Sequence, residues 1–394
     1  MSNLILPKTP INNDIELYLK YDANKLSDGN SYINKTLSIC LNKSKGLIGS
    51  KQPEWDKFKK YTNPYEYIHT NIPSTKYPIC KLKPLSRSFY KMIELCKTMQ
   101  LIEALPVDAC KTFHFAEGPG GFIEAVVHLR NNLSDVYVGM TLINDQDHGV
   151  PGWNKSNLFL ENNPSVIIDR GISKDGDILN AENLLDCLDR HNNSCDLVTA
   201  DGGFDFTTNF NHQETVSLKL IFAQMAFALA CQKKSGSFIL KMFDTFTEAS
   251  VDILYILSCV YEEVHFIKPY TSRLANSEKY IVCKNFRIAD SKTLIIAMYN
   301  IIKEFRENLY PSRFLSCDIP YNFLVAIQEN NAIFGLYQIE CISQTLNLIE
   351  FSTEDRLDSI KKKHVIKCMQ WCVKFNLPFN KINTNIFMPH VANK

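Results

Sequence analysis

A glycine-rich run is the first feature of this chain that could take part in chemistry. It reads Glu117-Gly118-Pro119-Gly120-Gly121-Phe122 and separates a predicted strand from a predicted helix. Glycine lets the backbone approach a ligand closely, and amides at a helix start suit a carboxylate or a phosphate. The run matches neither the dinucleotide fingerprint nor a phosphate loop that ends in Gly-Lys-Ser/Thr. It predicts a site for a ligand with an amino-acid carboxylate, such as S-adenosylmethionine; the alternative is a purely structural turn.

Three charged residues lie at the ends of other apolar segments. Asp201 follows one and precedes two glycines, Lys241 lies near the end of the next, and Glu278 directly precedes a third. A free lysine is a poor base at neutral pH because its pKa is about 10.4, but burial and neighbouring cations lower lysine pKa values. Each residue also has an ordinary interpretation: a helix cap for Asp201, a solvent-exposed head for Lys241 and a surface salt bridge for Glu278.

The elements that would position these residues alternate between strands and helices. The predicted strands are 112–116, 136–140, 165–169, 195–200, 237–242, 264–268 and 279–284, and the predicted helices are 86–105, 122–130, 182–190, 212–232 and 248–261. Such alternation predicts a mostly parallel α/β sheet with helices on both faces, and the last two strands predict an antiparallel hairpin at one edge. This pattern is typical of Rossmann-like methyltransferase sheets. Ligands bind such sheets at the carboxyl ends of the strands, where the glycine run and the charged residues are expected to meet.

Together these residues resemble the FtsJ-type RNA ribose 2′-O-methyltransferases. The resemblance rests on the glycine run, on the run Asp201-Gly-Gly-Phe204, on Lys241 and on the loop 268–278, and it covers roughly residues 85–287. Two further segments resemble the branch of the family that modifies the first transcribed nucleotides of capped messenger RNA: Gly139-Met-Thr-Leu142 and Asp175-Gly-Asp177-Ile178. The Asn-, Ile- and Lys-rich composition and the compact length also resemble homologues from large DNA viruses.

The resemblance implies a catalytic tetrad of Lys91, Asp201, Lys241 and Glu278. Lys91 fits the first position best, and Lys97 is the alternative. Lys241 would be the general base or would stabilise the developing alkoxide, while Lys91 and Glu278 would orient Lys241 and the ribose hydroxyl. Asp201 would hold the cluster together beside the methyl donor. The reaction is an in-line displacement that requires no metal, and no metal site is expected.

The resemblance also implies S-adenosylmethionine as the cofactor. Glu117 and the run 118–122 would hold its methionine end, Asp177 would accept a hydrogen bond from the adenine amine, and Asp201 would lie beside the methyl group. Many Rossmann-like methyltransferases bind the cofactor ribose through an acid at the end of the second strand. Here that strand leads into Leu142-Ile-Asn144-Asp145, so the ribose ligand stays open.

The RNA side is indicated by charge and by the same resemblance. The chain is balanced, with 43 Lys and Arg residues against 42 Asp and Glu, but residues 1–100 carry 16 against 8. This basic front indicates either a polyanionic partner or a solvated lysine-rich arm. By resemblance, Arg273 and Asn276 would line the phosphate path. Four tyrosines of the front either stack on a cap guanine or pack the arm onto the body: Tyr61, Tyr65, Tyr67 and Tyr77.

The rest of the chain indicates its organisation and location. We expect an irregular basic extension over residues 1–80, a methyltransferase domain over 81–290 and a helical extension over 291–394. Thirteen scattered cysteines without a Cys-x-x-Cys pair indicate a reducing compartment. The apolar stretch 216–231 predicts a buried helix rather than a membrane span, since Lys219 and Gln224 interrupt it. We expect a soluble intracellular protein, nuclear if cellular, and cytoplasmic or in a viral factory or virion if viral.

Two other functions remain as alternatives. One is a ribose methyltransferase of ribosomal or transfer RNA, and the other is a cofactor-binding, non-catalytic subunit of an RNA-capping complex. The cap-branch segments argue against the first, and the two lysines at the sheet edge argue against the second. An adenine amine methyltransferase is disfavoured because it needs Asp/Asn-Pro-Pro-aromatic where this chain has Asp-Gly-Gly-Phe. The partners expected are capped messenger RNA and a capping-complex or polymerase subunit, with no membrane.

Overall fold

The structure is a computed structural model that describes residues 3–9, 14–26, 31–73, 75–144, 152–203 and 210–382. The strands in these ranges are β1 Asn3–Ile5, β2 Leu19–Asn24, β3 Lys111–Phe115, β4 Val136–Met140, β5 Val166–Ile168, β6 Cys195–Ala200, β7 Gln232–Met242, β8 Tyr261–Ile267, β9 Lys279–Phe286 and β10 Tyr310–Leu315. The helices are α1 Lys35–Gly49, α2 Gln52–Phe58, α3 Ser88–Met99, α4 Gly121–Arg130, α5 Asn157–Asn162, α6 Ala181–His191, α7 Gln213–Cys231, α8 Glu248–Val260, α9 Lys292–Lys303, α10 Tyr321–Phe351 and α11 Glu354–Lys374.

The central feature of the fold is a sheet with the strand order β1-β8-β9-β7-β6-β3-β4-β5. The pairs β3–β4, β3–β6, β4–β5 and β6–β7 are parallel. Strand β9 is antiparallel to both of its neighbours, β7 and β8. The mostly parallel, Rossmann-like sheet with an antiparallel hairpin is therefore confirmed.

The position of that hairpin in the sheet differs from the expectation because an additional strand lies beside it. Strand β1 pairs antiparallel with β8, with Asn3 opposite Ile267, so β8 is not the outermost strand among the described residues. This segment belongs to the extension over residues 1–80 that was expected to be irregular. A strand of three residues shows no alternation of its own, and its hydrogen bonds come from a distant part of the chain, so local pattern could not reveal it.

Helix α7 lies in the core. It is long and apolar enough to cross a membrane by length and composition, but 78% of its most apolar window is buried inside the fold. Its residues Phe222, Met225 and Phe227 are fully buried, and Phe227 contacts Phe115 of β3 with 5.4 Å between ring centroids. The prediction of a buried helix is confirmed.

The chain divides into two compact units. The first contains residues 1–50 and 84–342, and the second contains residues 51–83 and 343–394. This division differs from the three consecutive segments expected from the sequence. The reason is pairing between distant segments: β2 is antiparallel to β10, so residues from both expected extensions belong to the unit that holds the sheet.

The second unit has a small core of its own, built from two segments far apart in the sequence. Tyr67 is buried and contacts the ring of His364 on α11, with 6.3 Å between centroids. The amide of Lys81 donates to the carbonyl of Pro378 at 2.9 Å, and the amide of Asn380 donates to the carbonyl of Ile79 at 2.8 Å. These contacts join the segment around residue 80 to the chain that follows α11.

Candidate active site

The four residues of the predicted tetrad lie at one edge of the sheet. Asp201 directly follows β6, and Lys241 is the second-to-last residue of the neighbouring parallel strand β7. Glu278 directly precedes β9, which runs antiparallel to β7 and therefore begins where β7 ends. Lys91 comes from the first half of α3. The structure thus brings together residues from four separate elements.

The tetrad forms two ion pairs. The Lys91 Nζ lies 2.7 Å from Glu278 Oε1 and 2.8 Å from Oε2. The Lys241 Nζ lies 3.3 Å from Asp201 Oδ1 and donates to the Asp201 carbonyl oxygen at 2.5 Å. All four side chains are between 8% and 15% exposed, so the pairs are shielded but still reachable from solvent. Lys97, the alternative to Lys91, is 40% exposed and pairs with Glu103 at 3.6 Å instead.

Tyr280 connects the two pairs, a role that was not predicted from the sequence. Its hydroxyl donates to Asp201 Oδ1 at 2.8 Å and accepts from Lys91 Nζ at 3.4 Å. In the sheet register it lies directly opposite Lys241. An aromatic residue in an apolar strand looks like core packing, but its position two residues after Glu278 puts it on the same face of the strand, which is a signal that could have found it.

Burial and mutual charge set the protonation of the first ion pair. Burial lowers the pKa of Lys91 below its ordinary value, although the carboxylates of Glu278 and Asp201 oppose that shift. Burial alone would raise the pKa of Glu278, but the ammonium groups of Lys91 and Lys241 hold it well below its usual range. Glu278 is therefore ionised at neutral pH, and Lys91 releases its proton more readily than a lysine in water.

Buried groups hold the loop before β9 in place. Ser272 donates its hydroxyl to Glu278 Oε1 at 2.7 Å. Lys268 donates to the carbonyl of Glu278 at 2.5 Å and to both the carbonyl and the side-chain oxygen of Asn276, at 2.7 and 2.9 Å. Burial lowers the pKa of Lys268 to about 7. Of the two predicted RNA ligands, Arg273 is partly exposed in this loop, and the Asn276 side-chain oxygen is engaged by Lys268.

A second contact fixes α3 against the same loop. The carboxylate of Glu94, fully buried one turn after Lys91, accepts from the amides of Tyr270 and Thr271 at 2.6 and 3.2 Å. It also accepts from the Thr271 hydroxyl at 3.2 Å. Because these bonds join the helix that carries Lys91 to the loop that carries Glu278, they set the separation within the first ion pair.

The glycine run follows β3 at the same edge and begins α4. Gly120 has φ +108°, a left-handed conformation that favours glycine, and its amide donates to the Glu117 carbonyl at 2.7 Å. The Gly118–Pro119 peptide is cis. A Cβ on Gly121 would lie within 2.2 Å of the hydroxyls of two serines, Ser86 and Ser88, so close packing explains this glycine.

Glu117 changes what the helix start can offer a ligand. Its Oε1 accepts from the amides of Phe122 and Ile123 at 2.6 and 3.0 Å, so these donors are taken by the chain itself. The Phe122 side chain is fully buried and lies 6.0 Å from the Tyr280 ring, so it faces the core. The Phe122 amide, which was expected to help hold the cofactor's methionine end, is therefore engaged within the chain. The amides of Gly118 and Gly121 make no hydrogen bond among the described residues.

The predicted adenine ligand lies in a turn against the end of β4. The amide of Ile143 donates to the carbonyl of Asp175 at 2.7 Å, which joins this turn to the chain after β4. Asp177 Oδ1 accepts from the Leu179 amide at 2.8 Å, and its other oxygen has no partner in the described part of the chain. Burial raises the pKa of Asp177. Asp145 and Phe204, both quoted from the sequence, lie outside the described residues.

The tyrosines of the basic front divide between the two interpretations. Tyr67 is buried in the core of the second unit, and Tyr61 and Tyr65 are partly buried there. Tyr77 is 46% exposed. Packing therefore explains Tyr67. Of the four tyrosines, Tyr77 has the most exposed side chain.

Helix α11 carries one histidine and two cysteines at helical spacing. His364, Cys368 and Cys372 are all buried along the same helix. Among the described residues no group of three or more His, Cys, Asp or Glu side chains could hold a metal ion. All thirteen cysteines are free thiols.

Comparisons with known proteins agree with the geometry. Residues 84–286 match the family model of the FtsJ-like methyltransferases. The cap-specific mRNA (nucleoside-2′-O-)-methyltransferase 2 of Danio rerio is 30% identical over 351 residues, which cover 82% of this chain and 44% of that protein. The mouse protein of the same name, from Mus musculus, is 28% identical over 372 residues, 86% of this chain and 45% of that protein.

A second kind of relative matches a shorter range. The cap-specific mRNA (nucleoside-2′-O-)-methyltransferase 1 of Homo sapiens is 38% identical over 180 residues, 43% of this chain and 21% of that protein. The chain spans less than half the length of each of these three relatives. All three are animal proteins, and they do not support the expectation of a viral origin. With more than half of its residues matched by the family model, the chain belongs to the FtsJ-like methyltransferases.

Proposed function

We propose that this protein transfers a methyl group from S-adenosylmethionine to a ribose 2′-hydroxyl of RNA, at a cap-proximal nucleotide of messenger RNA. The observation that carries the proposal is the pair of ion pairs, Lys91–Glu278 and Lys241–Asp201, at the sheet edge that also bears the glycine run. A ribose hydroxyl is a weak acid and a weak nucleophile. Two lysines held by two carboxylates suit the task of activating it.

In the proposed mechanism, Lys241 contacts the reacting hydroxyl. As the neutral amine its Nζ would take the hydroxyl proton; as the ammonium it would stabilise the oxyanion while the proton passes to solvent water. Asp201 fixes the direction of the Lys241 ammonium through both its carboxylate and its carbonyl. Lys91 and Glu278, the other ion pair of the tetrad, orient the hydroxyl. A methyl transfer needs the attacking oxygen in line with the bond that breaks, so fixed positions of these groups contribute directly to the rate.

The chain's residues fit the cofactor, and family membership assigns S-adenosylmethionine to it. The cofactor supplies an electrophilic methyl group on a sulfonium sulfur. We propose that the amides of Gly118 and Gly121 bind the cofactor's carboxylate, since both lack a partner among the described residues. We propose that the open oxygen of Asp177 accepts from the adenine amine. Tight packing around Gly118 and Gly121 keeps this backbone rigid.

The cap as the recognition element is supported by the relatives and by local sequence. Each of the three relatives described above is named as a cap-specific mRNA methyltransferase. The segments 139–142 and 175–178, which resemble the cap branch, lie together: a Cβ on Gly176 would meet the carbonyl of Thr141 at 2.2 Å. We propose that capped messenger RNA is also the substrate of this chain.

The test measures transfer of labelled methyl from S-adenosylmethionine to three RNAs of one sequence: 7-methylguanosine-capped, unmethylated-capped and uncapped. Nuclease digestion then locates the label. We expect label on a cap-proximal ribose of capped RNA and none on uncapped RNA. Lys91→Ala should remove this transfer, whereas Lys97→Ala, on the same helix but outside the cluster, should retain it.

Two results would contradict the proposal. Equal labelling of the uncapped RNA would favour a ribose methyltransferase of another RNA. No transfer to any RNA by a protein that still binds the cofactor would favour the non-catalytic subunit of a capping complex.

A further inference from the structure

The charge of the chain is unevenly divided between its two units. The second unit carries 15 Lys and Arg residues against 7 Asp and Glu, a net charge of +8. The first unit carries 28 against 35, a net charge of −7. A chain with a net charge of +1 therefore contains a small, strongly basic body. Charge concentrated in this way is the electrostatic footprint of a surface that binds a polyanion.

Helix α11 of this unit carries a line of cations on its surface. Its members are Arg356, Lys363, Lys367 and Lys374, and we call them the basic stripe. Spacings of seven, four and seven residues place all four within about 40° of one another around an α-helix axis, over a length of about 27 Å. All four are exposed, and the opposite side of the helix buries its apolar residues in the core of the unit.

The acidic residues of α11 are kept away from the stripe. Asp358 lies on another side of the helix and pairs with Lys361 and Lys362, the latter at 3.3 Å. Lys363 and Lys367 have no ion-pair partner in the described part of the chain. The helix thus has lysines that a neighbour neutralises, Lys361 and Lys362, and lysines that face solvent, Lys363 and Lys367.

We propose that the basic stripe binds the phosphate backbone of RNA, independently of base sequence and of the cap. The inference rests on the proposed function in taking RNA as the polyanion that this chain meets. Lysines act as mobile point charges toward phosphates, and a line of about 27 Å can meet several phosphates of one strand.

The test compares two double variants of the full chain that lose the same charge from the same helix. Lys363→Gln/Lys367→Gln changes the stripe, and Lys361→Gln/Lys362→Gln changes the neutralised lysines. Binding of a fluorescent, uncapped single-stranded RNA is measured by anisotropy without cofactor, over a range of salt concentrations. For the stripe variant we expect a Kd about tenfold higher at low salt and a slope of log Kd against log salt lower by about 1.4. The matched variant should stay within about twofold of wild type, and Lys363→Arg/Lys367→Arg should restore binding.

Several results would overturn the inference. The first is unchanged RNA binding by the stripe variant, and the second is equal weakening of RNA binding in both double variants. The third is a stripe variant that still binds RNA but no longer binds vesicles of anionic phospholipid, which wild type would then have to bind. Circular dichroism and thermal melting identify a variant that fails to fold, and the single variants Lys363→Gln and Lys367→Gln then carry the test. Because the binding assay needs no turnover, a protein that methylates no RNA but loses RNA binding with the stripe would contradict the proposed function and support this inference.

Discussion

The Tyr280 hydroxyl donates to Asp201 Oδ1 at 2.8 Å, from a strand in which this side chain is fully buried. The same hydroxyl accepts from Lys91, so one phenol joins the two ion pairs of the tetrad. Burial raises the pKa of Tyr280 well above its ordinary value, which keeps the phenol protonated and able to donate. The tetrad is therefore one connected network, and its members should not respond independently to substitution.

Replacing Tyr280 by Phe removes this connection without opening a cavity. We expect kcat to fall about tenfold while the KM values for RNA and cofactor stay within about twofold, because the hydroxyl orients charged groups and binds no substrate. The matched control is Tyr261→Phe, which removes a buried hydroxyl that donates to Gln232 at 3.0 Å in the same sheet. Both variants should lose about 1 kcal/mol of unfolding free energy, but Tyr261→Phe should keep normal kcat. An equal fall in kcat for both would mean that Tyr280 acts only through stability.

Lys241→Ala tests the residue assigned to the reacting hydroxyl. Loss of a general base reduces rates by about 10²- to 10⁴-fold, and we expect the rate of methyl transfer to fall by at least about 10²-fold. Cofactor affinity, measured by calorimetry, should stay within about twofold because Lys241 pairs with Asp201 and not with the glycine run. Lys233→Ala, on the exposed start of the same strand, is the control and should retain activity. Near-normal turnover by Lys241→Ala would show that another group activates the hydroxyl.

Glu278→Gln should make stability depend differently on pH. The ordinary pKa of a glutamate is 4.5, and in the folded state the lysines hold that of Glu278 below it. The ionised carboxylate therefore stabilises the fold above about pH 4.5, and this contribution declines as pH falls below that value. At pH 7 we expect the variant to lose about 3 kcal/mol of unfolding free energy, since Lys91 is left buried without its partner. The difference from wild type, measured by urea unfolding, should shrink as pH falls toward 3.

The control for this experiment is a glutamate in an exposed pair. Glu103 lies 3.6 Å from Lys97, with both side chains at least 40% exposed. Glu103→Gln should change the unfolding free energy by less than about 1 kcal/mol, with little change across the same pH range. A wild-type advantage over Glu278→Gln that stays constant from pH 7 to 3 would contradict the depressed pKa.

Gly120→Ala tests the backbone of the glycine run. A side chain at φ +108° is strained, and its Cβ would also meet Leu85 and Trp153 at 3.3 and 3.4 Å. We expect a loss of about 1–2 kcal/mol in stability and about tenfold weaker cofactor binding, because the adjacent amides shift. Gly46→Ala, in α1 with open space around it, should be neutral or stabilising by about 0.5–1 kcal/mol. Unchanged cofactor affinity in Gly120→Ala would separate this turn from the cofactor site.

The central sheet was predictable because its strands are short, apolar runs separated by helices. Predicted and observed bounds agree for β4 at Val136–Met140 and for β6 at Cys195–Ala200, and the other predicted strands differ by one to five residues at an end. The short strands β1, β2 and β10 were not predictable. Each depends on a partner far away in the sequence, and their polar residues give no two-residue alternation. The two-unit division escaped prediction for the same reason.

Part of the candidate site could also be predicted from the sequence, and part of it could not. Asp201, Lys241 and Glu278 could be placed at one edge from their positions at the ends of strands. The tetrad as a set, with Lys91 on α3, came from the family resemblance. The choice between Lys91 and Lys97 required the structure, because the direction of α3 decides which lysine faces Glu278. The capping of α4 by Glu117 was also hidden, since a carboxylate before a glycine turn can face either a ligand or its own helix.

Under the proposed function, the tetrad directs the methyl group to one ribose hydroxyl near the cap. The most direct measurement uses three capped RNAs: one all-ribose, one with 2′-deoxyribose at the first transcribed nucleotide, and one with it at the second. Methyl transfer from labelled S-adenosylmethionine is followed to each, with mass analysis of the nucleosides. We expect labelling of the all-ribose RNA and its loss in one of the two deoxy RNAs. Transfer that survives both deoxy substitutions, or a methyl group found on a base, would contradict the proposed function.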